Sequence, residues 1–578
     1  MSVLTTPWFD HPNIGEDYPR PQLKRAMYLS LNGTWNLIIE TPSGTRETTI
    51  RAPFSPESTL SGVDVEIGIH DRLIYQRDVV LPNDFRQGRL ILHFDAVDQE
   101  ADVFVNRRLA IHHLGGYTPF EVDITAFVEG DVFSLQVFVQ DVTDTSDRQT
   151  GKQRLRKGGI WYTPQSGIWQ TVWLEAVPQA YVERMVLTPR YFDNEIHIEL
   201  ETNVAKSLPI HAEVFFEDRL QGRIDTTALA FDIALNERHL WAPETPSLYT
   251  LVLNYGDDRI ESYFGMRLFE RKADARGVQR FYLNEQPYFL TGVLDQGYYP
   301  DGLLTPPSDA AMIHDIEAMK KLGFNLLRKH IKIEPLRWYY HCDRLGMIVW
   351  QDMVSGSERK DILVPGVLAI LGISQNDRRY RMFGRSSQEG RNQFEVELVE
   401  MIHHLRSVVS IAAWVPFNEA WGQFDSLRIE TVVRSIDSTR LIDHASGWHD
   451  QGGGDFYSRH IYFQKIRFPK KAAKQRILAL TEFGGYSIAV DGHRFRPDRV
   501  FGYKVFSSNF LWQDAIEMLY LNQVLPQVKK GLAVLVYTQL ADVEDEVNGF
   551  LTYDRQVMKI AEPRMRRINE ALIAASKE

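Results

Sequence analysis

Short apolar runs alternating with polar positions dominate the first half of the chain. Between Leu29 and Pro178 they predict strands at Thr34–Glu40, Leu73–Leu81, Arg89–Phe94, Ala101–Val105, Phe133–Val139 and Thr171–Glu175, parted by Gly, Pro, Asn and Asp turns. Repeated short strands of this kind build a β-sandwich or jelly roll. From Tyr181 to Phe269 the pattern recurs more compactly, at Val182–Pro189, Glu195–Thr202, Ile210–Glu217 and Leu248–Tyr255, as in an immunoglobulin-like sandwich. Near Arg271–Gln279 the period changes. A strand begins in Phe281–Leu294, and Asp309–Leu322 then spaces its apolar residues as a helix and stops at Gly323. Strand Phe324–Arg328, helix Pro335–Leu345 and strand Met347–Trp350 follow. Beyond them come helix Phe394–His404 and strands Ile411–Pro416, Leu441–Asp443, Ser458–Tyr462, Ile477–Leu480 and Leu532–Thr538. Strand–helix alternation at this spacing predicts a (β/α)8 barrel. The expected architecture is a jelly-roll β-sandwich over 1–178, an immunoglobulin-like β-sandwich over 179–272 and a C-terminal (β/α)8 TIM barrel over 273–578. Two long irregular segments, Met353–Arg391 and Val490–Asn509, interrupt the barrel and are expected to shape its mouth.

Two of the barrel strands end in glutamate. Ile411–Gly422 reads IAAWVPFNEAWG and Ile477–Gly485 reads ILALTEFGG, so Glu419 and Glu482 each close an apolar run of strand length. Continuous apolarity marks a strand buried on both faces, and a barrel keeps its reactive groups at the C-terminal ends of such strands. A single glutamate there can simply cap a strand and face water. Two in like settings suit cleavage of a glycosidic bond, where one carboxyl protonates the leaving oxygen and the other attacks or activates water.

Composition narrows the alternatives. The 578 residues exceed what one core can organise, and 24% charged with 44% hydrophobic residues is ordinary for a globular protein. A net charge of −11, with no basic run longer than Phe468–Lys474, argues against a nucleic-acid partner. The single cysteine, Cys342, permits no intramolecular disulfide and lies in a helical stretch as a small buried hydrophobe. No apolar stretch approaches a membrane span, and the first 21 residues do not read as a signal peptide. A cytoplasmic location is therefore expected, with no membrane partner and a homo-oligomer as an open possibility.

At these residues the chain resembles glycoside hydrolase family 2, the family of β-galactosidases, β-glucuronidases and β-mannosidases. The resemblance runs over essentially the whole length. It rests on GGYTPFEVDIT (Gly115–Thr125), GGIWYTPQSGIWQTVWLE (Gly158–Glu175), GFNLLRKH (Gly323–His330), YYHCDRLGMIVWQD (Tyr339–Asp352), WVPFNEAWG and TEFGG, in that order. It implies that Glu419 is the general acid/base and Glu482 the nucleophile of a retaining double displacement. It also implies that Arg328 keeps Glu482 ionised, that Asn418 hydrogen-bonds the sugar 2-hydroxyl and that Tyr462 hydrogen-bonds the nucleophile. His330, two residues after Arg328, shares its face. His460, Trp448, Asp295 and Tyr537 complete the expected substrate-binding set.

Departures from the family pattern bear on the sugar. Asp295 and Gln296 stand where many relatives carry Asn-Arg/Lys-His-Glu, and Tyr537 stands where tryptophan is common. β-Glucuronidases hold the sugar carboxylate with an Asn-x-Lys pair after the last strand; here Glu546–Phe550 reads EVNGF and lacks the lysine. A β-galactoside is accordingly the first expectation. β-Mannosidase, α-L-arabinopyranosidase and β-glucuronidase-type activities are the alternatives within the family. No cofactor is expected, and no ligand set matches the magnesium site of β-galactosidases. Outside the family reading stand a carbohydrate-binding protein with an inactive barrel, a metal hydrolase (disfavoured by the lack of HxH or HExxH) and a transglycosidase using the same residues.

Overall fold

A computed structural model describes residues 4–13, 17–358, 363–370, 373–419 and 421–578. Of the expected mouth segment 353–391, residues 359–362 and 371–372 lie outside the described residues, as does Ala420 next to Glu419. The N-terminal unit is a sandwich of two antiparallel sheets. Six strands, running 44–52, 33–41, 72–80, 132–140, 100–105 and 108–114 across the sheet, face four, running 28–30, 172–177, 89–94 and 120–123. Alternation along 132–140 sends Phe133, Leu135, Val137 and Val139 into the core between them. Gly44–Ala52 is a strand that hydrophobic pattern does not reveal, because GTRETTIRA exposes most of its side chains at the sheet edge.

The second unit packs a three-stranded sheet on a four-stranded one, seven strands in all, as immunoglobulin-like sandwiches do. A hairpin, Phe269–Ala273 with Gln279–Leu283, then leads into the third unit and lays Phe269 and Phe281 across the floor of the barrel.

Eight parallel strands form that barrel: β1 Leu290–Asp295, β2 Leu326–Lys329, β3 Ile348–Asp352, β4 Ile411–Val415, β5 Leu441–Ile442, β6 Phe456–Ile461, β7 Ile477–Gly484 and β8 Leu532–Thr538. Neighbours pair in chain order from β1 to β5 and from β6 to β8, and β8 pairs with β1, while among the described residues no strand pairing joins β5 to β6. Side chains alternate between two cores. Leu290, Leu326, Ile348, Trp350, Ala413, Val415, Val534 and Val536 fill the interior. Val293, Leu327, Val349, Trp414, Leu535 and Tyr537 pack outward against the helices. Helix α1 (Asp309–Lys321) starts where the Ser308 hydroxyl accepts the Ala311 N–H, and α2 (Leu336–Leu345) ends at Gly346 with φ +72°. The helix expected at Phe394–His404 begins earlier and spans Gln388–Leu405, because Ser387 caps it through the Gly390 N–H at 3.0 Å. Both irregular segments also carry structure: helix Leu363–Ile370 lies in the first, and Lys504–Phe506 in the second pairs with Tyr486–Ile488. Cys342 is buried. None of the described helices is long and apolar enough to cross a membrane.

Candidate active site

The interior phase of each strand decides which side chains reach the C-terminal mouth. On β2 the inward positions are Leu326 and Arg328, and Arg328 is fully buried. Its guanidinium donates to five groups: Asp352 Oδ1 at 2.9 Å, Asn418 Oδ1 at 2.7 Å, the Thr481 carbonyl at 3.1 Å, Glu482 Oε1 at 3.3 Å and His460 Nε2 at 3.4 Å. Burial alone would lower the Arg328 pKa, but the charges of Asp352 and Glu482 more than reverse this and raise it. Arg328 is therefore a fixed cation around which the site is assembled.

Glu482 reaches the interior by an irregularity. Leu478, Leu480 and Phe483 all face the helices, so strict alternation would send Glu482 outward with them. The β7–β8 register shifts between Leu480 and Phe483, and the β6–β7 register shifts beside His460 and Glu482. A bulge thus inserts one residue and turns Glu482 inward. There Tyr462 donates its hydroxyl to Glu482 Oε2 at 2.5 Å and lies 3.0 Å from Thr538 Oγ1.

Glu419 follows β4. Phe417 stacks on Phe394 with ring centroids 5.0 Å apart and anchors the turn that carries Asn418 and Glu419 over the barrel. His460 Nδ1 sits 2.8 Å from Glu419 Oε2 and 3.5 Å from Glu482 Oε2. Glu419, His460 and Glu482 bring one polar atom each within 4.8 Å of one another. Burial pushes the Glu419 pKa up to about 7, against the opposing charges of Lys152 and Arg328. Burial also takes His460 down to about 4, so its imidazole is neutral at pH 7. A cation bound by these three groups would compete with Arg328 and Tyr462, which already occupy both oxygens of Glu482.

Asn418 is oriented by its accepting oxygen. With Oδ1 on Arg328, the Nδ2 donor is buried and has no partner, leaving it available for a hydroxyl. His330 bonds Asp352 Oδ2 at 2.8 Å and so joins the arginine network from behind, and burial lowers its pKa. Trp448 meets His460 edge-on, with centroids 6.4 Å apart, and lines a cavity of about 660 Å³ together with Trp161, Glu419, Tyr462, Phe463 and Tyr503.

Asp295 and Tyr537, expected on the sugar, are turned away from the carboxylates. Asp295 is out of phase with inward Leu294; it binds Lys329 at 2.6 Å, and Lys329 in turn lies over Trp338 of α2. Tyr537 accepts the Tyr486 N–H at 3.1 Å and stacks on Phe550. Their successors occupy the inward phase. Thr538 meets Tyr462, and the buried Gln296 keeps an unpartnered Oε1. In the mouth segment Arg378 and Tyr380 both reach Asp425. From that segment Ala369 and Ser374 line the cavity.

Sequence reading also passed over Asp352, Tyr503 and Trp161. Asp352 could have been found from its inward phase two residues after Trp350. Tyr503 stacks flat on Tyr462 at 3.7 Å, and Trp161 arrives from the N-terminal sandwich. That sandwich is bolted to the barrel: Tyr162 donates to Glu546 Oε2 at 2.5 Å, the Thr163 N–H to Glu544 at 2.7 Å and Gln149 to Glu397 at 2.7 Å.

Comparison with known proteins agrees with this arrangement. Family models described as glycosyl hydrolases family 2, sugar binding domain; glycosyl hydrolases family 2; and glycosyl hydrolases family 2, TIM barrel domain match residues 28–178, 180–267 and 277–557. A β-galactosidase of Thermoanaerobacter pseudethanolicus is 22% identical over 294 residues, 48% of this chain and 39% of that protein. The chain spans only 34–41% of the length of three such curated relatives. Among solved structures, Ruminococcus gnavus β-glucuronidase superposes with a TM-score of 0.76 at 17% identity, covering 96% of this chain and 100% of that one. A β-galacturonidase of Eisenbergiella tayi, bound to galacturonate, gives 0.70 at 18% identity over 96% and 98%. With all three family models matched in order along its length, the chain belongs to glycosyl hydrolases family 2.

Proposed function

We propose that the protein is a retaining exo-β-glycosidase that removes a terminal sugar by double displacement. The observation carrying this reading is the spacing of the carboxylates: one oxygen of Glu419 and one of Glu482 lie within 4.8 Å. A retaining pair stands about 5–5.5 Å apart, whereas an inverting pair needs about 6.5–9.5 Å to admit water. Glu482 attacks the anomeric carbon while Glu419 gives its proton to the departing oxygen, forming a glycosyl ester. Glu419, now a carboxylate, takes a proton from water, which attacks the ester carbon and releases the sugar with its original configuration. Arg328 and Tyr462 hold Glu482 in line, and Asn418 Nδ2 offers the hydrogen bond that strengthens as the ring flattens.

The sugar has two readings. A neutral β-galactoside follows from the missing lysine after β8. An acidic sugar is favoured by the solved relatives named β-glucuronidase and β-galacturonidase. Proton NMR of the reaction started with a 4-nitrophenyl β-glycoside checks the mechanism: the β-hemiacetal should appear first and the α-anomer only by mutarotation. Immediate appearance of the α-anomer would make the enzyme inverting and end this reading.

Gly447 supplies a second check. It has φ +95°, and a Cβ placed on it would lie 2.5 Å from the His460 ring. Gly447→Ala must therefore push His460 off the carboxylate pair. A displacement of about 1 Å can cost on the order of 10²-fold in rate. A loss of that size in kcat/KM is expected, with an unchanged far-UV circular dichroism spectrum. A fully active Gly447→Ala enzyme would show that His460 does not position the pair.

A further inference from the structure

One charge near this site belongs to no barrel residue. Lys152 is 8% exposed, and among the described residues its ammonium makes no hydrogen bond or ion pair; Nζ lies 5.7 Å from the centroid of the Trp161 ring. The loop bearing it is pinned to the catalytic rim. The Thr150 and Gly151 N–H groups donate to the Ser355 carbonyl beyond β3, at 3.1 and 2.9 Å. A Cβ on Gly151 would lie 3.1 Å from the Ile331 carbonyl beyond β2, so the backbone is seated tightly there. On the other side Trp161 meets Trp421, two residues after Glu419, edge-on at 5.3 Å, and lines the cavity. Lys152 is thus enclosed by the ends of β2, β3 and β4. Its charge is felt by Glu419, His330, His460, Asp352 and Glu546. An ammonium that no protein group pairs is free to receive the carboxylate of a bound anion.

We infer that Lys152 is a specificity residue that receives the carboxylate of a terminal hexuronic acid, so that the site takes β-uronides in preference to neutral β-hexosides. This rests on the retaining-glycosidase reading above. The lysine missing after β8 is supplied instead from the N-terminal sandwich. The electrostatics point the same way. With Lys152 unpaired, its charge opposes the proton on Glu419; a carboxylate seated on Lys152 cancels that opposition, so an acidic substrate helps keep the acid protonated. A neutral sugar leaves the ammonium unpaired and gains no charge-assisted hydrogen bond from it.

The test compares the full-length enzyme with Lys152→Met and Lys152→Arg on 4-nitrophenyl β-D-glucuronide and β-D-galacturonide, 4-nitrophenyl β-D-galactoside and β-D-mannoside, and 4-carboxyphenyl β-D-galactoside. The wild type should favour a uronide over the neutral hexosides by about 10²-fold or more in kcat/KM, a typical effect of one buried charge pair. Lys152→Met should lower the ratio of uronide to neutral hydrolysis by about the same factor, and Lys152→Arg should restore part of it. The basic limb of kcat/KM should move to higher pH in Lys152→Met, a shift that mere loosening of the loop would not produce. Preference for a neutral hexoside in the wild type, or equal loss on every substrate in Lys152→Met, overturns the assignment while leaving the glycosidase reading intact. Loss confined to the carboxyphenyl galactoside would move the recognised carboxylate to the aglycone and overturns it as well. Absence of turnover on every glycoside, with no labelling of Glu482 by a 2-fluoroglycosyl fluoride, sinks both readings together.

Discussion

Glu482→Gln should fold normally and lose about 10⁵-fold in kcat, the scale seen when an enzymatic nucleophile is removed. The amide preserves the volume of the side chain, its oxygen can accept from Arg328 and its NH2 can donate to the Tyr462 hydroxyl, but it cannot form the glycosyl ester. The smaller Glu482→Ala leaves space beside the Tyr462 hydroxyl. Azide entering that space attacks the anomeric carbon from the vacated side while Glu419 protonates the leaving oxygen, and the product is an α-glycosyl azide. Kinetics on a nitrophenyl glycoside and NMR of the azide adduct check both parts. Near-normal turnover by Glu482→Gln would take the nucleophile's role away from it.

For Glu419→Ala the loss should scale with how badly the leaving group needs a proton. Alkyl or sugar aglycones should slow by about 10²–10⁴-fold, the range of general acid catalysis, and an activated dinitrophenyl aglycone far less in the glycosylation step. Azide should then accelerate deglycosylation and give the β-glycosyl azide. The pH profile carries an independent sign. Burial raises the Glu419 pKa to about 7, so the proton is present below that pH and is lost above it. Wild-type kcat/KM should accordingly fall as pH rises through about 7, and this limb should vanish in Glu419→Ala. Equal losses across leaving groups, or a limb that persists in the variant, would remove Glu419 from the acid role.

Much of the barrel was legible because buried strands and amphipathic helices differ in period, and Gly323 and Gly346 mark where helices must stop. Arg328 and His330 could be placed on one face by counting in twos from Leu326. The same counting fails at β1 and β8. Nothing in Thr291–Gln296 or Leu532–Gln539 fixes which neighbour faces inward, and the pattern alone does not tell Asp295 from Gln296 or Tyr537 from Thr538. Glu482 presents the converse problem. Its chemistry was evident from TEFGG, yet alternation from Leu478 and Leu480 points it outward, and only the bulge, invisible to periodicity, reverses it. Lys152 could not be found by any pattern along the barrel, because its approach depends on how two units dock. The edge strand Gly44–Ala52 escaped because a solvated strand has no apolar stripe to read.

The docking of the N-terminal sandwich has a consequence in time. Trp161 and the 151–163 loop leave the ribosome more than 250 residues ahead of Glu419 and more than 300 ahead of Glu482, yet they wall the same cavity. The reactive pair is therefore incomplete as a site until the last-made barrel strands close and the first-made unit settles on them through Tyr162–Glu546 and Thr163–Glu544. Activity becomes a report on assembly: a partly opened chain carries both carboxylates but has no walled socket in which to use them.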